Sequence, residues 1–171
     1  MQGHELLIDA FGRVHEEVHS AVADLTLDQL HQRLDPDANP IAWLLWHLAR
    51  VQDDHVADVA GTEQIWTAQG WSDRFGTPYR DAAIGYGHSS HDVARLRVPS
   101  ADLLTGYHDA VHEQTLAYVG GLKDDDFDRV VDTRWDPPVT LGVRLVSVLS
   151  DTLQHAGQAA LLRGIILRTR H

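Results

Sequence analysis

The chain has 171 residues, 43% of them apolar, which is enough for a real core and sets residues 1–171 as one expected domain. Asp and Glu outnumber Lys and Arg by 25 to 14, a formal charge of −11 with His neutral, and no basic stripe stands out, so neither nucleic acid nor an anionic membrane is an expected partner. There is no cysteine, which excludes disulfides, a protein thiolate nucleophile and every Cys-based zinc motif, whereas histidine, the commonest protein metal ligand, occurs 12 times.

The N-terminal stretch has neither a basic region nor an uninterrupted apolar run, and nowhere does the chain approach the ~18 consecutive apolar residues of a membrane span. The expectation is a soluble cytoplasmic protein. Leu7, Phe11, Val14, Val18, Ala21 or Val22, and Leu25 then recur at steps of three and four, predicting a first amphipathic helix. In Asn39-Pro-Ile-Ala-Trp-Leu-Leu-Trp-His-Leu-Ala-Arg50, Asn39 reads as an N-cap and Pro40 as the first helical residue of a second helix, which reaches about Val59 and ends at Gly61. Residues 61–99 hold five glycines and two prolines, the composition of a long irregular connection with at most a short helix near 63–69. Connections of that length are often functional. Ser100 caps a third periodic segment carrying Leu104, Val111, Thr115 and Leu122, with Gly120-Gly121 near its end. A fourth and longest helix runs from about Thr140 to Leu167. With no alternating strand pattern, the expected fold is all-α: an up-and-down four-helix bundle with a long crossover connection between helices two and three.

The chemistry concentrates on the fourth helix. Leu141, Val148, Asp151, His155, Gln158, Leu162 and Ile165 read as one core-facing stripe, and residues four apart nearly complete a turn, so Asp151 and His155 can converge on one point. A bare carboxylate there would meet a desolvation cost of several kcal/mol or take up a proton. A divalent cation removes that difficulty, because it requires a charged carboxylate and a neutral imidazole. A zinc site usually needs a third protein ligand, and His47, among Leu44, Leu48 and Val51 on the second helix, is the best candidate. The simpler readings are a hydrogen-bonded core histidine at 47 and a buried ion pair between Asp151 and His155. The pairs His15/His19 and His108/His112 share the four-residue spacing, but acidic neighbours on their own helices favour solvated or flanking positions. Gln158 can bind beside the site or serve as a core amide. Arg50 and Asp54 can meet a polar substrate or form exposed ion pairs. Trp71, in the long connection with Trp66, can roof a pocket or cap the structure. His88 and His91, also in the connection, can form a lid or have no role.

Three stretches together resemble the DinB-like metalloprotein superfamily, and within it the actinobacterial mycothiol-dependent S-transferases. They are Asn39 to Asp54, the loop Gly70-Trp-Ser-Asp-Arg-Phe-Gly76, and Asp151-Thr-Leu-Gln-His-Ala-Gly-Gln158 running on to Gly164. The resemblance implies a four-helix bundle whose divalent metal, commonly zinc or nickel, is held at the positions of His47, Asp151 and His155. Asp151 is a departure, since relatives more often carry His or, among the mycothiol users, Glu. The implied reaction is attack of a metal-bound thiolate on an electrophilic small molecule, with mycothiol as cosubstrate and no catalytic side chain besides the ligands. A metal-dependent hydrolase using activated water and a non-catalytic metal-binding bundle are the alternatives. Monomer and homodimer are both open. The maleylpyruvate isomerases that share the bundle carry a further C-terminal domain, so isomerase activity is not expected.

Overall fold

The computed structural model describes residues 2–169. Helix α1 (Gly3–Val22) buries Leu7, Phe11, Val14, Val18 and Ala21, the face the periodicity predicts. A one-turn helix, α2 (Leu27–Leu30), follows a capping box formed by Thr26 and Gln29. Helix α3 (Ile41–Ala60) is the most buried element, and Gly61 closes it in the left-handed conformation. Its start differs from the sequence expectation: Pro40 itself is the N-cap, with ψ of 161°, so helical dihedrals begin at Ile41 and Asn39 does not cap.

The connection contains α4 (Ile65–Ala68), α5 (Trp71–Phe75) and α6 (Ser90–Arg95). The first lies within the short helix expected near 63–69; the other two carry no periodicity long enough to show in the sequence. Helix α7 (Ala101–Val119) is capped by the Ser100 hydroxyl, which accepts from Leu103 N–H. A 3₁₀ turn at Asp124–Asp128 and a short antiparallel ladder of β1 (Val130–Asp132) and β2 (Val139–Thr140) lead to α8 (Leu141–Arg168), capped by Thr140. No helix among the described residues is long and apolar enough to cross a membrane.

The fold is all-α apart from that ladder. Helix α8 packs on α3 and α1, and α7 packs on the same two from the other side. Directions follow from which ends meet. Leu7 and Phe11 share a cluster with Val56 and Val59, Val119, and Leu141 and Leu145, whereas Val18, Ile41, Leu104 and Ile166 meet in the cluster at the opposite end. Helices α1 and α8 therefore run parallel, α3 and α7 run parallel, and the two pairs oppose each other. The strict up-and-down alternation expected from the sequence is corrected to up, down, down, up. The reason lies in the connection: consecutive parallel helices require the chain to return along the whole length of α3, about 30 Å at 1.5 Å per residue. Residues 61–100 make that return.

Burial on α8 keeps Leu141, Val148 and Leu162 of the expected stripe but moves one position along at Asp151, His155, Gln158 and Ile165. The buried residues are Leu141, Leu145, Val148, Thr152, Ala156, Ala159, Leu162 and Ile166. Asp151 and His155 flank this line and are half-buried, and Gln158 is exposed. The carboxylate thus lies at the edge of the core, where its desolvation is smaller than on the inner face.

Candidate metal centre

His47, two turns into α3, meets Asp151 and His155 of α8 where the antiparallel helices pack. One ligand atom from each of the three residues lies within 4.8 Å of the others, and His155 Nε2 is 3.7 Å from Asp151 Oδ1. Ligand atoms around a tetrahedral zinc are about 3.3 Å apart, so the last pair is close to coordination spacing.

Each imidazole is oriented through its other nitrogen. His47 Nδ1 donates to the Ile84 carbonyl at 2.5 Å, and its ring stacks on Trp43 with centroids 4.6 Å apart and planes inclined by 16°. His155 Nδ1 bonds Gln158 Oε1 at 2.9 Å. An amide oxygen can only accept, so Nδ1 carries the proton in both rings and Nε2 presents a lone pair. Burial depresses the His47 pKa below its ordinary value, against the opposing bond to the Ile84 carbonyl, which leaves the neutral ring that a metal requires. Asp151 Oδ2 is shielded from solvent yet has no hydrogen-bond partner. Two Nε2 lone pairs and one carboxylate, with an oxygen that has no hydrogen-bond partner, form a donor set that fits a divalent cation.

Gly85 makes the His47 contact sterically feasible. Its φ is +93°, and a Cβ there would lie 2.6 Å from His47 Nδ1 and 3.0 Å from the Trp46 ring. Only glycine lets the connection approach closely enough for Ile84 to accept the imidazole proton.

A cleft of about 190 Å³ opens beside His47 and Asp151, lined also by Val51, His55, Ile84, Tyr86, Ser147 and Val148. His55 is shared with a larger polar basin of about 430 Å³ that includes Asp54, Asp58, Arg134 and Arg144. His55 Nδ1 accepts from Arg144 Nη1 at 3.1 Å, and burial together with that guanidinium lowers its pKa. The sequence reading missed His55 and Tyr86 at the cleft, and Gly85 beneath His47. For His55 a signal existed, since His47, Val51 and His55 recur every four residues on α3.

The remaining candidates separate. Gln158 reaches the site through His155. Arg50 does not: it is fully buried, not an exposed ion-pairing residue, and donates to the Ala83 and Asp81 carbonyls, Gln64 Oε1 and Tyr107 Oη, with Asp53 Oδ2 at 3.5 Å. It fastens the connection to α3 just ahead of Ile84. Asp54 accepts from Gln64 Nε2 at 2.7 Å within the same tie. Trp71 packs on Tyr107 and carries Arg74 over its face, so it seats α5 on α7 and is absent from the cleft lining. His88 accepts from Trp43 Nε1 and stacks on Trp46, so it packs the connection against α3. The pairs His15/His19 and His108/His112 are not separately solvated, because all four rings cluster between α1 and α7.

Fold and site together define a helical protein with a candidate His-Asp-His metal centre. Residues 10–159 match the profile of the DinB superfamily, and the chain belongs to that superfamily. Members of the superfamily bind metals, in keeping with this donor set. A crystal structure of a conserved protein from Enterococcus faecalis is similar, at 28% identity, 99% coverage of both chains and a TM-score of 0.92. Comparison with functionally curated proteins gave no significant match.

Proposed function

We propose that the protein is a metal-dependent S-transferase joining mycothiol, a low-molecular-weight thiol, to an electrophilic small molecule, in one four-helix-bundle domain spanning residues 1–171 and acting in the cytoplasm. The observation that carries the reading is the convergence of His47, Asp151 and His155, two of which, His47 and Asp151, line an open cleft. When bound, a divalent cation, Zn²⁺ or Ni²⁺, supplies the Lewis acidity that favours thiolate over thiol near neutral pH.

The chain's own residues do the rest. Ile84 and Gln158 fix the two tautomers, so that both Nε2 atoms are left with a free lone pair. Val51, Val148 and Tyr86 give the cleft an apolar wall for an electrophile, while Ser147 and His55 offer polar contacts. With no cysteine anywhere in the chain, the protein cannot be trapped as a mixed disulfide with its own cosubstrate. In the substitution, the sulfur–carbon bond forms as the leaving group departs with its electron pair.

The test uses purified, metal-loaded protein with mycothiol and monochlorobimane, in which chloride is the leaving group. A fluorescent conjugate that forms above the uncatalysed rate and is lost on chelation is expected. No conjugate, alongside an active positive-control transferase, overturns the reading, and thiol-independent release of product from activated esters would replace it with a hydrolase. Activity surviving both His47→Ala and His155→Ala would move the chemistry to another site.

A further inference from the structure

The seam between α1 and α7 carries a second histidine–carboxylate cluster that the proposed reaction does not use. His15 and His19 stand four residues apart on α1, and their Nε2 atoms lie 2.8 and 2.7 Å from the same oxygen, Asp109 Oδ1 on α7. One ligand atom from each of the three residues lies within 4.8 Å of the others. His112 stacks on His15 with centroids 4.4 Å apart, and His108 stacks on it at 5.7 Å. His108 is 1% exposed, yet neither of its ring nitrogens has a hydrogen-bond partner, and His112 Nδ1 is likewise buried and unpartnered.

Packing alone does not account for this arrangement. An unsatisfied buried polar group costs about 1–3 kcal/mol, and an apolar side chain of similar volume would fill the same space without that cost. Two neutral imidazoles can each donate one N–H to Asp109, but this places both donors on a single oxygen. Replacing those two protons with one cation keeps the carboxylate charged and turns both Nε2 lone pairs into ligands, and imidazole suits zinc, copper, nickel and iron. The side chains of His15, His19 and Asp109 are 31%, 44% and 42% exposed, so an ion can enter from solvent and keep water in its remaining positions.

We propose that the α1–α7 seam is a second divalent transition-metal site, ligated by His15, His19 and Asp109, with His112 and His108 stacked against His15 to hold its ring. It shares no ligand with the α3–α8 centre. Its ligands come from α1 and α7 and those of the other centre from α3 and α8, so the two sites should load independently.

The experiment titrates the full-length metal-free chain with Zn²⁺ against a chromophoric chelator, and repeats the titration with Co²⁺ to record its absorption spectrum. Asp109→Asn, isosteric and partly exposed, is expected to lower the stoichiometry by one ion per chain, and His19→Gln to do the same. The ion these variants lose should remain in the His47→Ala/His155→Ala variant, which keeps this result separate from the fate of the α3–α8 centre. Unchanged stoichiometry in both Asp109→Asn and His19→Gln, with folding verified by circular dichroism, overturns the proposal. So does binding at this seam only at millimolar zinc.

Discussion

The two seams hold similar side chains in different states of readiness. At α3–α8 each imidazole spends Nδ1 on a partner outside the donor set, Ile84 O or Gln158 Oε1, which leaves both Nε2 atoms free, and the third group is a carboxylate with an unpartnered oxygen. At α1–α7 the hydrogen bonds run within the donor set itself, from two Nε2 atoms to one Asp109 oxygen. The first arrangement has its tautomers fixed before a ligand arrives, whereas the second must give up its internal bonds. Outer partners of this kind typically govern metal affinity by 10–100-fold, so the α3–α8 centre should bind more tightly.

The sharpest way to break this comparison is to remove a ligand. His47→Ala or His155→Ala should abolish loading of the α3–α8 centre while leaving the other seam unaffected, as read by metal analysis of the dialysed protein. Equal loss at both seams would show that they are not independent. Next in size is Arg50→Leu, which leaves Asp53 buried without its guanidinium and unties Asp81 and Ala83 from α3. Denaturant unfolding should show a loss of about 3–5 kcal/mol.

Gly85→Ala sharpens the comparison without touching a ligand. A Cβ 2.6 Å from His47 Nδ1 must displace either the ring or residue 84, and φ of +93° adds strain. The expected results are a stability loss of about 1–3 kcal/mol and roughly 10–100-fold weaker zinc binding at this seam alone. Gln158→Leu removes the exposed partner of His155 and should weaken binding by about 10-fold, the lower end of that range, in the same chelator competition.

The smallest effect is expected beside the polar basin. Hydrogen bonds from Arg134, with Arg144 nearby, hold the Asp132 carboxyl well below its ordinary value of 3.8. A depressed folded-state value means that its stabilisation is complete above pH 3.8 and is lost as pH falls below it. Asp132→Asn should therefore lower thermal stability at neutral pH and flatten its decline below about pH 4. An unchanged pH profile would remove Asp132 as an anchor of the basin.

Local chemistry determined much of this protein from the sequence alone. The apolar spacing on α1, the hydroxyl cap at Ser100 and the helix stop at Gly61 depend on residues within a turn or two of each other, so their consequences could be read directly. The Asp151/His155 pair was legible for the same reason, and His47 because its apolar neighbours marked a buried face. The direction of α7, the burial of Arg50, the Ile84 carbonyl over His47 and the meeting of His15 and His19 with Asp109 were decided only in the tertiary structure. Each joins residues from about 30 to 94 positions apart, and such contacts depend on which helix faces pack and which way the crossover returns. Acidic neighbours on the same helix pointed the four seam histidines towards solvent; the acid that matters to His15 and His19 sits on another helix.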